Sequence, residues 1–159
     1  GRYRPRRLLL VERAEFALFE IDRELGAAGR GLPVVPVLAD VADEDRMRGV
    51  LAAYRPQVIL HAAAHKHVPM VEKNPVEGLR NNVLGTHVLG RLAGEAGVEA
   101  FVLISTDKAV NPSSVMGASK RLAELVVQSL DVSHARTRYV AVRFGKRDGF
   151  HGVGDPALP

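Results

Sequence analysis

Five short apolar runs, each separated from the next by a segment of helical length, constrain this chain more than any other feature. The runs cover residues 7–12, 34–38, 57–63, 99–105 and 138–144. Between them, residues 14–28, 43–54, 75–96 and 113–130 carry apolar residues at helical spacing. In 14–28 that pattern assigns Phe16, Leu18, Phe19, Ile21 and Leu25 mostly to one side. Acidic residues open 43–54 and a proline opens 75–96, as first turns prefer. Strands that are apolar throughout and alternate with helices predict a parallel sheet covered on both faces. The expected fold is therefore α/β and doubly wound, with ligands at the carboxyl ends of the strands.

Composition narrows the class. With 159 residues, 47% hydrophobic and 25% charged, the chain can bury one domain's core. It has no cysteine, which excludes disulfides, a thiol nucleophile and thiolate metal sites, and makes the cytoplasm the expected compartment. No apolar run is long enough to span a bilayer, so no membrane contact is expected of this segment. The net charge is +4, from 22 Lys and Arg against 18 Asp and Glu. The cations are scattered among carboxylates with few aromatics, which favours an anionic small molecule such as a nucleotide over nucleic acid.

A dinucleotide fold normally opens with a strand and a Gly-rich turn that aims a helix N-terminus at the pyrophosphate. No such turn is found. The Gly26–Gly31 cluster follows a helix and reads as a helix stop. The sequence thus predicts a sheet that lacks the first βα unit, its first run being the usual second strand. Glu12 then stands where an acidic residue accepts hydrogen bonds from the adenosine ribose. Arg13 would pair with a 2′-phosphate, and Asp40 and Val41 would face the adenine edge. A solvated strand-end pair and a turn-forming Asp are the plainer readings of these residues.

After the fourth run comes Ser105-Thr106-Asp107-Lys108-Ala109-Val110, and then Met116-Gly117-Ala118-Ser119-Lys120. Met116 and Lys120 are four apart and share a helical face. The strings STDKAVNPSSVMGASKR and HAAAHKHVPMVEKNPVEGLRNNVLGT resemble the large nucleotide-sugar 4,6-dehydratases of polysaccharide biosynthesis (the CapD-like family). These form a branch of the extended short-chain dehydrogenase/reductase superfamily with a Rossmann-like fold. The resemblance covers roughly residues 6–145. Most of the superfamily has Tyr where Met116 stands, and a thioether cannot relay a proton; this family has Met there by habit.

The resemblance implies NADP or NAD as cofactor and a UDP-N-acetylglucosamine-type sugar as substrate. The implied reaction oxidises C4, removes the C5 proton, expels the C6 hydroxyl as water and returns hydride to C6. Asp107 would be the acid at the C6 hydroxyl and Lys108 the base at C5, its pKa lowered by burial and by Lys120. Thr106 would bind the C4 oxygen, Lys120 the nicotinamide ribose, and Met116 would fill the Tyr position. Ala62, Ala63 and Ala64 would let the cofactor approach the backbone. Lys66 and His67 would face the sugar or its phosphates, and Asn82 would order a water or fix the neighbouring strand. His61, His65 and His67 have no acidic residue close in sequence, and no metal is expected. A loop ion pair at Asp107-Lys108 and a plain helix-interior Asn82 are the structural alternatives.

The resemblance stops at Gly145. Residues 146–159 read KRDGFHGVGDPALP. Removing one A from a codon set for this stretch gives N-V-M-G-S-T-G-S-V-I-P-L-F, which matches the family. The expected organisation is therefore a partial cofactor-binding domain over 1–145 and an irregular, out-of-frame tail over 146–159. The primary expectation is a fragment of the dehydratase, inactive alone. Its parent would be a homo-oligomer, anchored at the inner membrane with this domain in the cytoplasm. The alternatives are an inert relic or interaction module of the same fold, and a nucleotide-sugar epimerase or reductase.

Overall fold

The computed structural model describes residues 5–27 and 31–145. The order is β1 (Leu8–Glu12), α1 (Glu15–Ala27), β2 (Val34–Leu38), α2 (Glu44–Tyr54) and β3 (Val58–His61). Then follow α3 (Val68–Lys73), α4 (Pro75–Leu79), a π-helical turn (Arg80–Leu84) and α5 (Gly85–Glu95). The last elements are β4 (Ala100–Thr106), a 3-10 turn (Asp107–Ala109), α6 (Val115–Ser133) and β5 (Arg138–Phe144). The proposed out-of-frame tail lies outside the described residues.

Local chemistry sets the boundaries. Asp43 caps α2 by accepting the Arg46 amide, and Ser114 caps α6 by accepting that of Gly117. Each such cap stabilises its helix by about 1 kcal/mol. The expected single helix over 75–96 is divided, because Asn81 and Asn82 turn inward where the backbone widens into the π turn. Sequence reasoning missed α3, which carries Pro69 in its first turn. Asn74, held extended before Pro75 at φ −135°, separates α3 from α4. In α1 only Leu18 is buried, whereas Phe16 and Phe19 are 76% and 61% exposed. At 100° per residue those two rings lie on the side opposite Leu18 and Leu25. The single apolar side expected there is therefore two stripes.

All pairing is parallel, as anticipated, but the strands form two sheets. β1 pairs with β2, and β4 lies between β3 and β5. A doubly wound sheet of order 3-2-1-4-5-6 that lacks its first strand would leave this interruption between β1 and β3. Helices α2, α5 and α6 share a core with Phe101, Leu103 and Tyr139 on one face of the larger sheet. On the opposite face Leu60, Val102 and Val140 are aligned in register, beside Ile104 and Val142. Helix α1 packs on β1 and β2. The strand ends in both sheets thus open on the interruption, and the candidate site lies there.

Candidate functional site

Two groups of predicted residues gather at the carboxyl ends of the strands. The first lines a cleft of about 290 Å³ between β1–β2 and the segment after β3. Glu12, Arg13, Asp40, Val41, Ala63 and Ala64 all contribute to it, with His65 and Asn81 added. Ala62 does not. Glu12 Oε1 accepts the amides of Arg13 and Ala14, both at 2.8 Å, so the carboxylate is fixed at the start of α1. Asp40 Oδ1 accepts the Ala42 amide at 2.9 Å. Val41 buries its side chain in the core.

Arg13 crosses the cleft. Its guanidinium lies 3.0 Å from His65 Nε2, 3.4 Å from Glu77 Oε1 and 3.6 Å from Asp40 Oδ2. Sequence reasoning left it free for a phosphate. The structure instead gives it two carboxylates, one from α4, which sequence distance concealed.

The second group follows β4. Thr106 ends the strand, and its hydroxyl donates to Asp107 Oδ1 at 2.9 Å while accepting the Lys108 amide at 3.3 Å. The Lys108 ammonium is 4.0 Å from Asp107 Oδ1. The Lys108 side chain is 56% exposed, so the burial expected around it is absent among the described residues. Met116 and Lys120 are both buried in α6, one turn apart. Lys120 Nζ donates to the Ile104 carbonyl at 2.7 Å. Burial lowers its pKa, opposed by the nearby Glu124 carboxylate.

Asn82 ties the two groups together. Its Oδ1 accepts the His65 amide at 2.7 Å, and its Nδ2 donates to the His65 carbonyl and to Ser119 Oγ. Asn81 Nδ2 completes the set at 3.1 Å. The Asn82 side chain therefore spends its polar capacity on protein and fixes the 62–67 segment against α6. Lys66 and His67, on that segment, are exposed.

Sequence reasoning also missed a buried network behind the site. Glu124, 2% exposed, accepts Ser105 Oγ at 2.7 Å and a bidentate pair from Arg143 at 2.8 and 2.7 Å. Arg143 foremost, with Ser105 and Arg121, brings the Glu124 pKa down to about 2 against the cost of burial. The signal was in the sequence, since Met116, Lys120 and Glu124 follow one another at i+4. The histidines do not converge: His61 meets Thr86 and His65 meets Arg13. Among the described residues there is no cluster of three or more metal-ligating side chains, and no helix long and apolar enough to cross a membrane.

A parallel, doubly wound sheet with carboxylates and small residues at its strand ends, and a buried lysine on the next helix, defines a Rossmann-like domain. Within that class, the chain belongs to the polysaccharide biosynthesis protein family, whose model matches residues 2–152. It is 47% identical over 153 residues to the capsular polysaccharide biosynthesis protein CapD of Staphylococcus aureus, covering 96% of this chain and 26% of that protein. It is 31% identical over 153 residues to a UDP-N-acetylglucosamine 4,6-dehydratase (inverting) of Campylobacter jejuni, covering 94% and 44%. Among solved structures, Pen from Bacillus thuringiensis superposes with a TM-score of 0.81 at 28% identity, covering 93% of this chain and 46% of Pen. The chain thus spans between about a quarter and under half of these proteins' lengths.

Proposed function

We propose that this chain forms the cofactor-binding and proton-transfer part of a nucleotide-sugar 4,6-dehydratase acting in polysaccharide synthesis on a UDP-N-acetylglucosamine-type substrate. The observation that carries this reading is the turn after β4. It offers a hydroxyl, a carboxyl and an amine in succession beside a helix that has Met116 in place of a proton relay. Three adjacent polar groups suit a reaction with separate needs at C4, C5 and C6; a thioether suits none of them.

The cleft beside Glu12, about 290 Å³, suits the adenosine end of a nicotinamide dinucleotide. Carboxylates there accept from ribose hydroxyls, and Ala63 and Ala64 leave room for close approach. Such a cofactor, bound, would take hydride from C4 and return it to C6. Thr106 orients the C4 oxygen by hydrogen bonding, and the C4 hydroxyl proton passes to solvent as the ketone forms. The Lys108 amine takes the C5 proton, made acidic by the C4 ketone, and a proton returns to C5 once hydride has reached C6. Asp107 protonates the departing C6 hydroxyl, and water leaves. Lys120 binds the nicotinamide ribose. Lys66 and His67 face the sugar or its phosphates. Asn82 positions the segment that bears them. The parent protein is assigned as a homo-oligomer at the inner membrane, with this part in the cytoplasm.

The test is to incubate the full-length parent with UDP-N-acetylglucosamine in deuterated water and follow the sugar by NMR. A 4-keto-6-deoxy product carrying deuterium at C5 is expected, and Asp107→Asn should abolish its formation. An epimerised sugar without loss of water would overturn the assignment.

A further inference from the structure

Resting on the nucleotide reading of the cleft, we propose that it selects the dinucleotide without a 2′-phosphate, and that Glu77 helps set this choice by engaging Arg13. An arginine at the end of this strand ordinarily signals a 2′-phosphate, because its planar fork matches phosphate oxygens. Here the fork is already bracketed. Asp40 approaches it from β2 at 3.6 Å and Glu77 from α4 at 3.4 Å. His65 Nε2 takes a third position at 3.0 Å.

The surroundings lean the same way. Glu12 is pinned by two backbone amides, so its charge cannot swing aside. Glu15 adds another carboxylate in the first turn of α1. Among the described residues Arg80 is another cation nearby, and it lies 4.0 Å from the other oxygen of Glu77. Among the described residues that line the cleft, the carboxylates of Glu12 and Asp40 outnumber the one guanidinium, that of Arg13. A ribose diol donates hydrogen bonds and suits them. A 2′-phosphate only accepts, and brings about two negative charges.

Exposed ion pairs are individually weak, so Arg13 alone would not decide the matter. The fixed carboxylates add repulsion that a phosphate must overcome even after displacing Glu77 and Asp40. Together they predict a preference of about tenfold or more for the form lacking the phosphate.

The test is calorimetric titration of the full-length parent with NAD+ and NADP+, and with 5′-AMP and adenosine 2′,5′-bisphosphate as the adenosine halves. The expected result is at least about tenfold tighter binding of NAD+ and 5′-AMP. Glu77→Gln, which releases Arg13, should shrink that ratio several-fold, chiefly by tightening the 2′-phosphorylated ligands. Circular dichroism would verify that the variant is folded. Equal or tighter binding of the 2′-phosphorylated ligands would overturn the selectivity while leaving the nucleotide site standing. An unchanged ratio in Glu77→Gln would remove Glu77 from the account. Failure of all four ligands to bind at millimolar concentration would overturn the nucleotide reading and this inference with it.

Discussion

His61 shows how much one side chain can be asked to carry. It closes β3 with its ring 5.7 Å from that of Phe101. Thr86 Oγ1 donates to the Asn82 carbonyl at 2.7 Å, so that oxygen must accept from His61 Nε2–H at 2.9 Å. This fixes a neutral tautomer. Burial, and secondarily the Lys120 charge, lower the His61 pKa to about 4. The unfolded chain would protonate this histidine near pH 6.5. Between those values the unfolded state binds more protons, so stability falls as the pH drops. The full effect is on the order of 3 kcal/mol. Urea unfolding at pH 7 and pH 4.5 should register most of it, and His61→Gln should flatten that dependence. An equally steep decline in the variant would assign the acid sensitivity to other groups. The residue's place in the sequence gave no hint of this. HAAAHKH reads as an exposed, ligand-like cluster until β3 is seen to end under α5.

At the scale of elements, the decisive contact is between α6 and the turn after β4. Gly117 sits against the Lys108 carbonyl, and a Cβ there would overlap it. The helix can approach the turn only because this position lacks a side chain. Gly117→Ala should therefore destabilise the chain by about 1–3 kcal/mol and speed amide exchange across residues 106–109. Gly49, in the exposed middle of α2, has nothing within 4 Å of its would-be Cβ. Gly49→Ala should stabilise by about 0.5–1 kcal/mol through helix propensity alone. If the two substitutions behaved alike, the close approach would not be what holds the turn. The contrast also marks what the sequence could reveal. Periodicity found β2 and β5 to the residue and most of α2, because short apolar runs and a capping Asp43 are local signals. It missed the π turn, where Asn82 finds partners at His65 and Ser119, and the six-residue α3, too short to show a period. It also put Phe16 and Phe19 on one side with Leu18 and Leu25, whereas both rings are exposed and only Leu18 is buried. Site residues carried by motifs were legible. Glu77 and Arg143 were not, because each acts on a partner 19 or more residues away, and Glu124 was marked only by its i+4 spacing from Lys120.

For the molecule as a whole, the imbalance between its two faces has the largest consequence. One face of β3–β4–β5 is sealed by α5 and α6, and Phe101 and Leu103 there are almost wholly buried. On the other, Leu60 is 69% and Val58 55% exposed, in a strand rich in β-branched and aliphatic residues. Leu60, exposed, is continued by the half-buried Val102 and Val140 across three strands, so this face carries a contiguous apolar row. Patches of this kind mark surfaces that bind other protein. The edge of β3 beside the interruption adds backbone groups able to pair with another strand. The isolated chain should therefore self-associate as its concentration rises, and sedimentation velocity should detect this at micromolar concentration. Leu60→Lys puts a charge on the row and on the open edge together. It should shift the population toward monomer at little cost in stability, since that side chain has few contacts to lose. Association that persisted unchanged in Leu60→Lys would locate the sticky surface elsewhere, with the outward rings of Phe16 and Phe19 the next to substitute.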